Sequence, residues 1–579
     1  MKKLIVIFLL ICSCTIISEQ DPRNFVTTFE TSEGLETAEY HEVIDYYTRL
    51  ADAFPELEVD TMGVTDSGIP LHLFTYNPER IFEFDKIRKN QRILLINNGI
   101  HPGESDGIDA TMMLIRDLLT EKLPTPQHTV ISVIPVYNIG GSLNRNSGTR
   151  ANQNGPKSYG FRGNARNFDL NRDFIKSDTK NARSFAEIYH MVKPDLFIDN
   201  HVSNGADYQY VLTHLFTQHN KLGGELGRFL HETLQPELEA ELAEKNWDIT
   251  PYVNVFNRTP ETGFSQFFDH PRYSTGYTTL FNSLGMMVET HMLKPYKDRV
   301  TGTYELMRSM LSLSEKHHAK IAELRTKAAL EYQMKSSYPI QWTIDTTKSS
   351  ILNFKGYEAD RIPSVITGAQ RLKYDRSRPF TKEVTYQNYF KPSKEVKIPE
   401  AYIIPQGWHK IIDLLKLNGI NMNPLSKDSS MTVESYRIKE FETRREAYEG
   451  HYLHYRTKVS ASTKEINFKV GDFIVPTNQP GIRYIIETLE PEANDSFFNW
   501  NFFDTILQQK EGFSPYVFEE TALKLLQENP ELKQEFEQKK AEEPDFNEQW
   551  YYQLYWIYER SHHYEAAHMQ YPIYRKMKS

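Results

Sequence analysis

The 579-residue chain has only two cysteines, Cys12 and Cys14, and both lie within its first twenty residues. Beyond them no disulfide can form, so a cysteine-stapled fold is excluded, and any metal site must use histidine and carboxylate. Basic residues are also in deficit: 67 Lys and Arg against 77 Asp and Glu give a formal net charge of −10. With no block of Lys or Arg to neutralise a row of phosphates, nucleic acid is not expected as a partner. Internal repeats and low-complexity tracts are missing, and so are long apolar runs after the N-terminus. What is present, 39% hydrophobic and 25% charged residues, describes a globular protein with a core. The length predicts a division into two to four domains.

The first residues, MKKLIVIFLLICSCTIISEQ, place Lys2 and Lys3 before an apolar run from Leu4 to Ile11. That run is too short for a permanent membrane span and fits a secretory signal over residues 1–18. Ile-Cys-Ser-Cys14 resembles a bacterial lipoprotein box, in which the last cysteine is acylated. The expectation is an exported chain, periplasmic or at the cell surface, with Cys14 as a membrane attachment point. Oligomeric state is not legible.

Residues 24–330 alternate helical and strand patterns and are expected to form one catalytic domain. ETAEYHEVIDYYTRLADAFP has helical spacing and stops at a proline; LEVDTMGVTDSGIPLHLFTYN reads as a hairpin turning at Asp66-Ser67-Gly68. RILLINN, VISVIPVYN, DLFIDN and GMMVET read as apolar strands with helices between them, including SDGIDATMMLIRDLL. This alternation predicts an α/β fold, a mixed and mostly parallel sheet covered on both faces. Ligands of such sheets sit outside the carboxyl ends of the strands. Residues 335–475 predict a β-rich accessory domain, and 476–579 a helical region rich in Tyr, Trp and Phe.

Four groups of polar residues fall at strand ends in the first domain. His101 and Glu104 follow RILLI in HPGE, Asn171 and Arg172 lie in RGNARNFDLNRDF, His201 ends DLFIDNH, and Glu289 ends GMMVE. Alone, HPGE would be weak: 19 His and 77 acidic residues generate about 2.5 His-x-x-acid pairs by chance, and His562/Glu565 is another. Together the groups make chemical sense. His₂Glu is a recognised catalytic zinc set that leaves one position open, and His101, Glu104 and His201 supply it. Glu289 is placed to act as general base, and Arg172 to grip a carboxylate with its forked donors. Asp169 is placed to hold the free ring N–H of a liganding histidine.

In this order, HPGE, DLNR, a strand-end His and a strand-end Glu resemble the zinc carboxypeptidases of the carboxypeptidase A type, over about 300 residues. The resemblance implies one zinc per catalytic domain, a peptide substrate with a free C-terminal carboxylate, and removal of its last residue. It implies His101, Glu104 and His201 as ligands, Glu289 as base, Asn171 and Arg172 as the carboxylate-binding pair, and Asp169 behind a ligand. It also implies an arginine that polarises the scissile carbonyl, some twenty residues before DLNR. Arg150 is the best match, with Arg145 and Arg166 as competitors. A tyrosine closing over the substrate is matched by Tyr273, with Tyr277 close behind.

Other readings of the same site are a peptidoglycan stem-peptide peptidase and an N-acyl amino acid amidohydrolase. From a different class comes a catalytically silent protein that binds peptide or glycan; intact Glu289 and Arg172 argue against it. His562, His563 and His568 do not share a helix face and read as solvated or packed. The aromatic segment EQWYYQLYWIYER reads as core before it reads as a sugar platform.

Overall fold

The computed structural model describes residues 25–578. The signal-like segment, with Cys12 and Cys14, lies outside the described residues. No helix among the described residues is long and apolar enough to cross a membrane.

Nine strands belong to the first region: β1 (Leu57–Val64), β2 (Pro70–Tyr76), β3 (Arg92–Asn97), β4 (Thr129–Ile134), β5 (Leu196–Ser203), β6 (Leu212–Phe216), β7 (Ile249–Pro251), β8 (Phe264–Ser265) and β9 (Leu284–His291). Eight of them form one sheet in the order β1-β2-β4-β3-β5-β9-β6-β7. Strands β4, β3, β5 and β9 are mutually parallel, whereas β1 and β2 enter as an antiparallel hairpin and β6 runs antiparallel to β9. The predicted mixed α/β sheet is thus present. Its central strands β3 and β5 are buried along their whole length, which explains why they read as near-continuous apolar runs.

Helices cover both faces, among them Tyr40–Ala53, Asp106–Leu119, Lys180–Val192 and the 39-residue Tyr296–Met334. Helix Asp106–Leu119 starts directly after HPGE and lies against β5. A Cβ on Gly107 would lie 2.3 Å from Cβ of Asn200, so only glycine permits this approach. At its first turn Asp106 is buried in an ion pair with Arg299 of the long helix (Oδ2–Nε 3.0 Å).

After residue 335 the chain is β-rich, then helical. The strands Ser350–Pro363 and Gln370–Gln387 form a long hairpin, whose second strand pairs parallel with β8 at Tyr386↔Phe264. Its inner face packs Phe354, Val384 and Tyr386 on Tyr208, Tyr210, Val253 and Val255 of the first region. A six-stranded sheet contains Ala401–Ile404, Ser429–Thr443, His454–Phe468 and Phe473–Pro476, and also the last strand, Gln570–Lys576. This sheet draws on chain from both sides of residue 475. Helix Ile482–Leu489 is buried on every side. Its Arg483 donates to the carbonyls of Lys221 and Leu222 and to Oδ1 of Asn282 in the first region.

Candidate active site

The site lies at the carboxyl ends of β3, β5 and β9. His101 and Glu104 occupy a tight turn after β3, closed by a hydrogen bond from the Glu104 amide to the His101 carbonyl (2.8 Å). His201 lies near the end of β5 and stands in register opposite Glu289 on β9. Donor atoms of His101, Glu104 and His201 lie within 4.8 Å of one another, and all three side chains are buried.

The two imidazoles are held alike. Nε2 of His101 meets Oδ1 of Asp169 at 2.9 Å, and Nε2 of His201 meets Oδ2 of Asp199 at 2.9 Å. Each carboxylate fixes a proton on Nε2 and turns the Nδ1 lone pair towards Glu104. Nδ1 of His101 lies 3.3 Å from Oε1 of Glu104, and Nδ1 of His201 lies 3.2 Å from Oε2. The His101 Nδ1 atom is buried without a hydrogen-bond partner. An orphaned ring nitrogen facing a buried carboxylate and a second ring nitrogen fits a zinc ion with two nitrogen donors and one oxygen donor.

Electrostatics divide the carboxylates by role. Burial alone would raise Glu104, but His101, Arg150 and His201 hold it well below the usual carboxylate range, the charged state in which it could hold a metal ion. Asp169 is likewise held low against burial, by His101, Arg162 and Arg172. Glu289 goes the other way: burial and the Glu104 charge push it up to about 7, against the pull of His201 and Arg162. A carboxylate poised near neutrality is suited to take and return a proton.

His101, Glu104, His201 and Glu289 line a cleft of about 300 Å³ together with Arg162, Asn171, Arg172, Tyr273, Leu215, Met287, Phe267, Tyr252 and Asn254. Arg172 lies over the Tyr273 ring at 4.6 Å, and Oδ1 of Asn171 is buried and unpartnered. Tyr277 is in the core instead, donating to Oδ1 of Asn418 at 2.6 Å.

The arginines differ from the sequence expectation. Arg150 lies behind Glu104, with Nη1 2.8 Å from its Oε1 and Nε on Gln153, and it is not part of the cleft wall. Arg145 binds the carbonyls of Thr37, Ala38 and Ser158, and Arg166 stacks on Phe168. Of the arginines before DLNR, Arg162 lines the cleft, with Nε on Oδ2 of Asp169 and Nη1 3.5 Å from Oε1 of Glu104. A count of about twenty residues back from DLNR passes over Arg162, which sits in the same RGNARNFDLNR segment as Arg172. Asp199 also escaped notice, although strand alternation puts it on the same face of β5 as His201.

A zinc carboxypeptidase family model matches residues 43–201. Over those residues the chain is similar to zinc carboxypeptidases. All three candidate ligands fall within the matched residues, and Glu289 lies beyond them. Carboxypeptidase 2 of Trichophyton rubrum is 21% identical over 427 residues, covering 69% of this chain and 72% of that protein. Its counterpart in Trichophyton equinum is 22% identical over 429 residues, with the same coverage. Among solved structures, a metallo-carboxypeptidase from Burkholderia cenocepacia aligns with 15% identity and a TM-score of 0.35, covering 47% of this chain and 68% of that one. Carboxypeptidase A from Helicoverpa armigera aligns with 14% identity and a TM-score of 0.37, covering 50% and 74%. The chain is a zinc-dependent hydrolase of peptide bonds.

No second metal cluster occurs among the described residues. Nε2 of His568 meets the Leu507 carbonyl at 3.2 Å, and Glu565 accepts backbone amides of Lys510 and Glu511.

Proposed function

We propose that the protein is a metallocarboxypeptidase that releases the last residue of peptides with a free C-terminal carboxylate. The observation that carries this reading is the convergence, in one cleft, of the His101–Glu104–His201 set, Glu289 and the Asn171–Arg172 pair. Zinc held by the three ligands supplies Lewis-acid chemistry. Glu289 takes a proton from the attacking water and returns it to the departing amine. Arg172 receives the terminal carboxylate through its forked donors and Asn171 adds a hydrogen bond, so only the last peptide bond reaches the reacting position. Arg162 stabilises the developing oxyanion, the role the sequence had assigned to Arg150. Tyr273, over Arg172, covers the bound end of the chain.

The cleft also supports a side-chain preference. Leu215 and Met287 stand opposite each other on β6 and β9, and Phe267 joins them in the lining. The acidic groups of the lining are Glu104 and Glu289, both already committed. An apolar C-terminal residue is therefore favoured over a basic one.

The test is amino-acid release, followed by mass spectrometry, from matched peptides with free and amidated C-termini. Release from the free-acid peptides alone, lost with chelator and restored with zinc, is expected. Equal release from the amides would overturn the reading. We infer export, and attachment through an acylated Cys14, from Lys2-Lys3 and the apolar run alone; fractionation of cells making the full chain, with and without Cys14→Ser, tests it.

A further inference from the structure

The loop between the accessory strands Ser429–Thr443 and His454–Phe468 ends in a tight turn, Tyr448-Glu449-Gly450-His451. Tyr448 and His451 exchange both backbone hydrogen bonds, at 2.7 and 3.1 Å. The two central residues have positive φ, 50° at Glu449 and 77° at Gly450, the signature of a type I′ turn. Glycine or asparagine normally takes such a position, and a glutamate there is strained.

The strain is held where the turn meets the site. Oε2 of Glu449 accepts the backbone N–H of Asp169 at 2.9 Å. A Cβ on Gly450 would lie 3.2 Å from the Phe168 ring, so the turn lies flush on that residue. His451 binds Asp178 (Nε2–Oδ2 2.6 Å). Three contacts from one accessory turn thus hold the segment from Phe168 to Asp178.

Asp169 is the hub of that segment. Its Oδ1 receives His101 Nε2 and, at 3.0 Å, the Asn171 amide; its Oδ2 receives Arg162 and lies 3.9 Å from Arg172 Nη2. Any rotation of Asp169 therefore displaces a ligand and the carboxylate-binding pair together.

We propose that Glu449 of the accessory region is a positioning residue for the peptidase site, setting Asp169, and through it Asn171 and Arg172, to receive a peptide's terminal carboxylate. The inference rests on the carboxypeptidase reading and adds that the first region alone holds an incomplete substrate clamp.

The test uses the full zinc-loaded chain with Glu289→Gln, so that binding is read without turnover. Calorimetry gives the Kd of a free-acid peptide and of its amide. Glu449→Gly removes the carboxylate but suits the left-handed turn, so the melting temperature should hold or rise. The preference for the free acid should fall about tenfold, the usual scale for losing a group that orients a site residue. Glu449→Gln keeps an acceptor oxygen and should retain most of the preference. An unchanged preference in Glu449→Gly would overturn the inference. If the Glu289→Gln parent itself does not distinguish acid from amide, the carboxypeptidase reading fails and the inference falls with it.

Discussion

Glu289 and His201 face each other across two parallel strands, so a proposed base and a proposed ligand are set by backbone pairing rather than by a mobile loop. Glu289→Gln keeps the shape and removes the basicity. It should lower kcat by about 10²–10⁴-fold, with zinc content by metal analysis unchanged. A second buried carboxyl gives a pH dependence of stability. Burial pushes Asp109 up to about 7, the Asp106 charge adds to the rise, and a hydrogen bond from Tyr296 holds it partly back. This lies above the ordinary 3.8, so the folded state keeps the proton longer than the unfolded chain. Its contribution is complete below about pH 4 and is lost as pH rises towards about 7. Asp109→Asn should therefore gain stability relative to wild type between about pH 5 and pH 8, as read by urea unfolding.

The elements that carry the site are anchored by buried polar contacts at their first turns. Arg299, with no exposed surface, pairs with Asp106 and donates to the carbonyls of Asn154, Gly155, Met292 and Lys294. It ties the helix after HPGE to the long helix and to the loop after β9. Arg299→Met would leave Asp106 charged and unpaired in the interior, at a cost of about 3–5 kcal/mol in chemical denaturation. At this scale much was legible. The hairpin, the four apolar strands and the helix after HPGE all stand where periodicity and turn residues put them. The pairing of Asp106 with Arg299 was not, since they lie 193 positions apart and nothing local marks either as buried.

On the scale of the whole molecule, the regions after 335 do not hang from the first region as separate beads. Arg483 reaches three backbone and side-chain acceptors in the first region, and Lys221 forms a buried pair with Glu487 at 3.1 Å. A chain ending at Met334 would expose the apolar surface covered by helix Ile482–Leu489 and leave Lys221 without its counter-charge. Such a truncation should be recovered aggregated or should melt well below the full chain, as size-exclusion chromatography and thermal unfolding would show.

Residue order by itself determined the sheet's central strands, the histidine and glutamate at their ends, and the DLNR segment, because each is written in a local pattern of alternation, spacing or a short motif. It also excluded a cysteine-based metal site by composition. Tertiary structure alone decided which arginine faces the cleft, since Arg145, Arg150, Arg162 and Arg166 are chemically equivalent until the fold gives each a partner. It separated Tyr273, over Arg172, from Tyr277, in the core, for the same reason. It also brought Glu449 to Asp169 across 280 positions, a contact made by two surfaces meeting and therefore invisible in either segment alone.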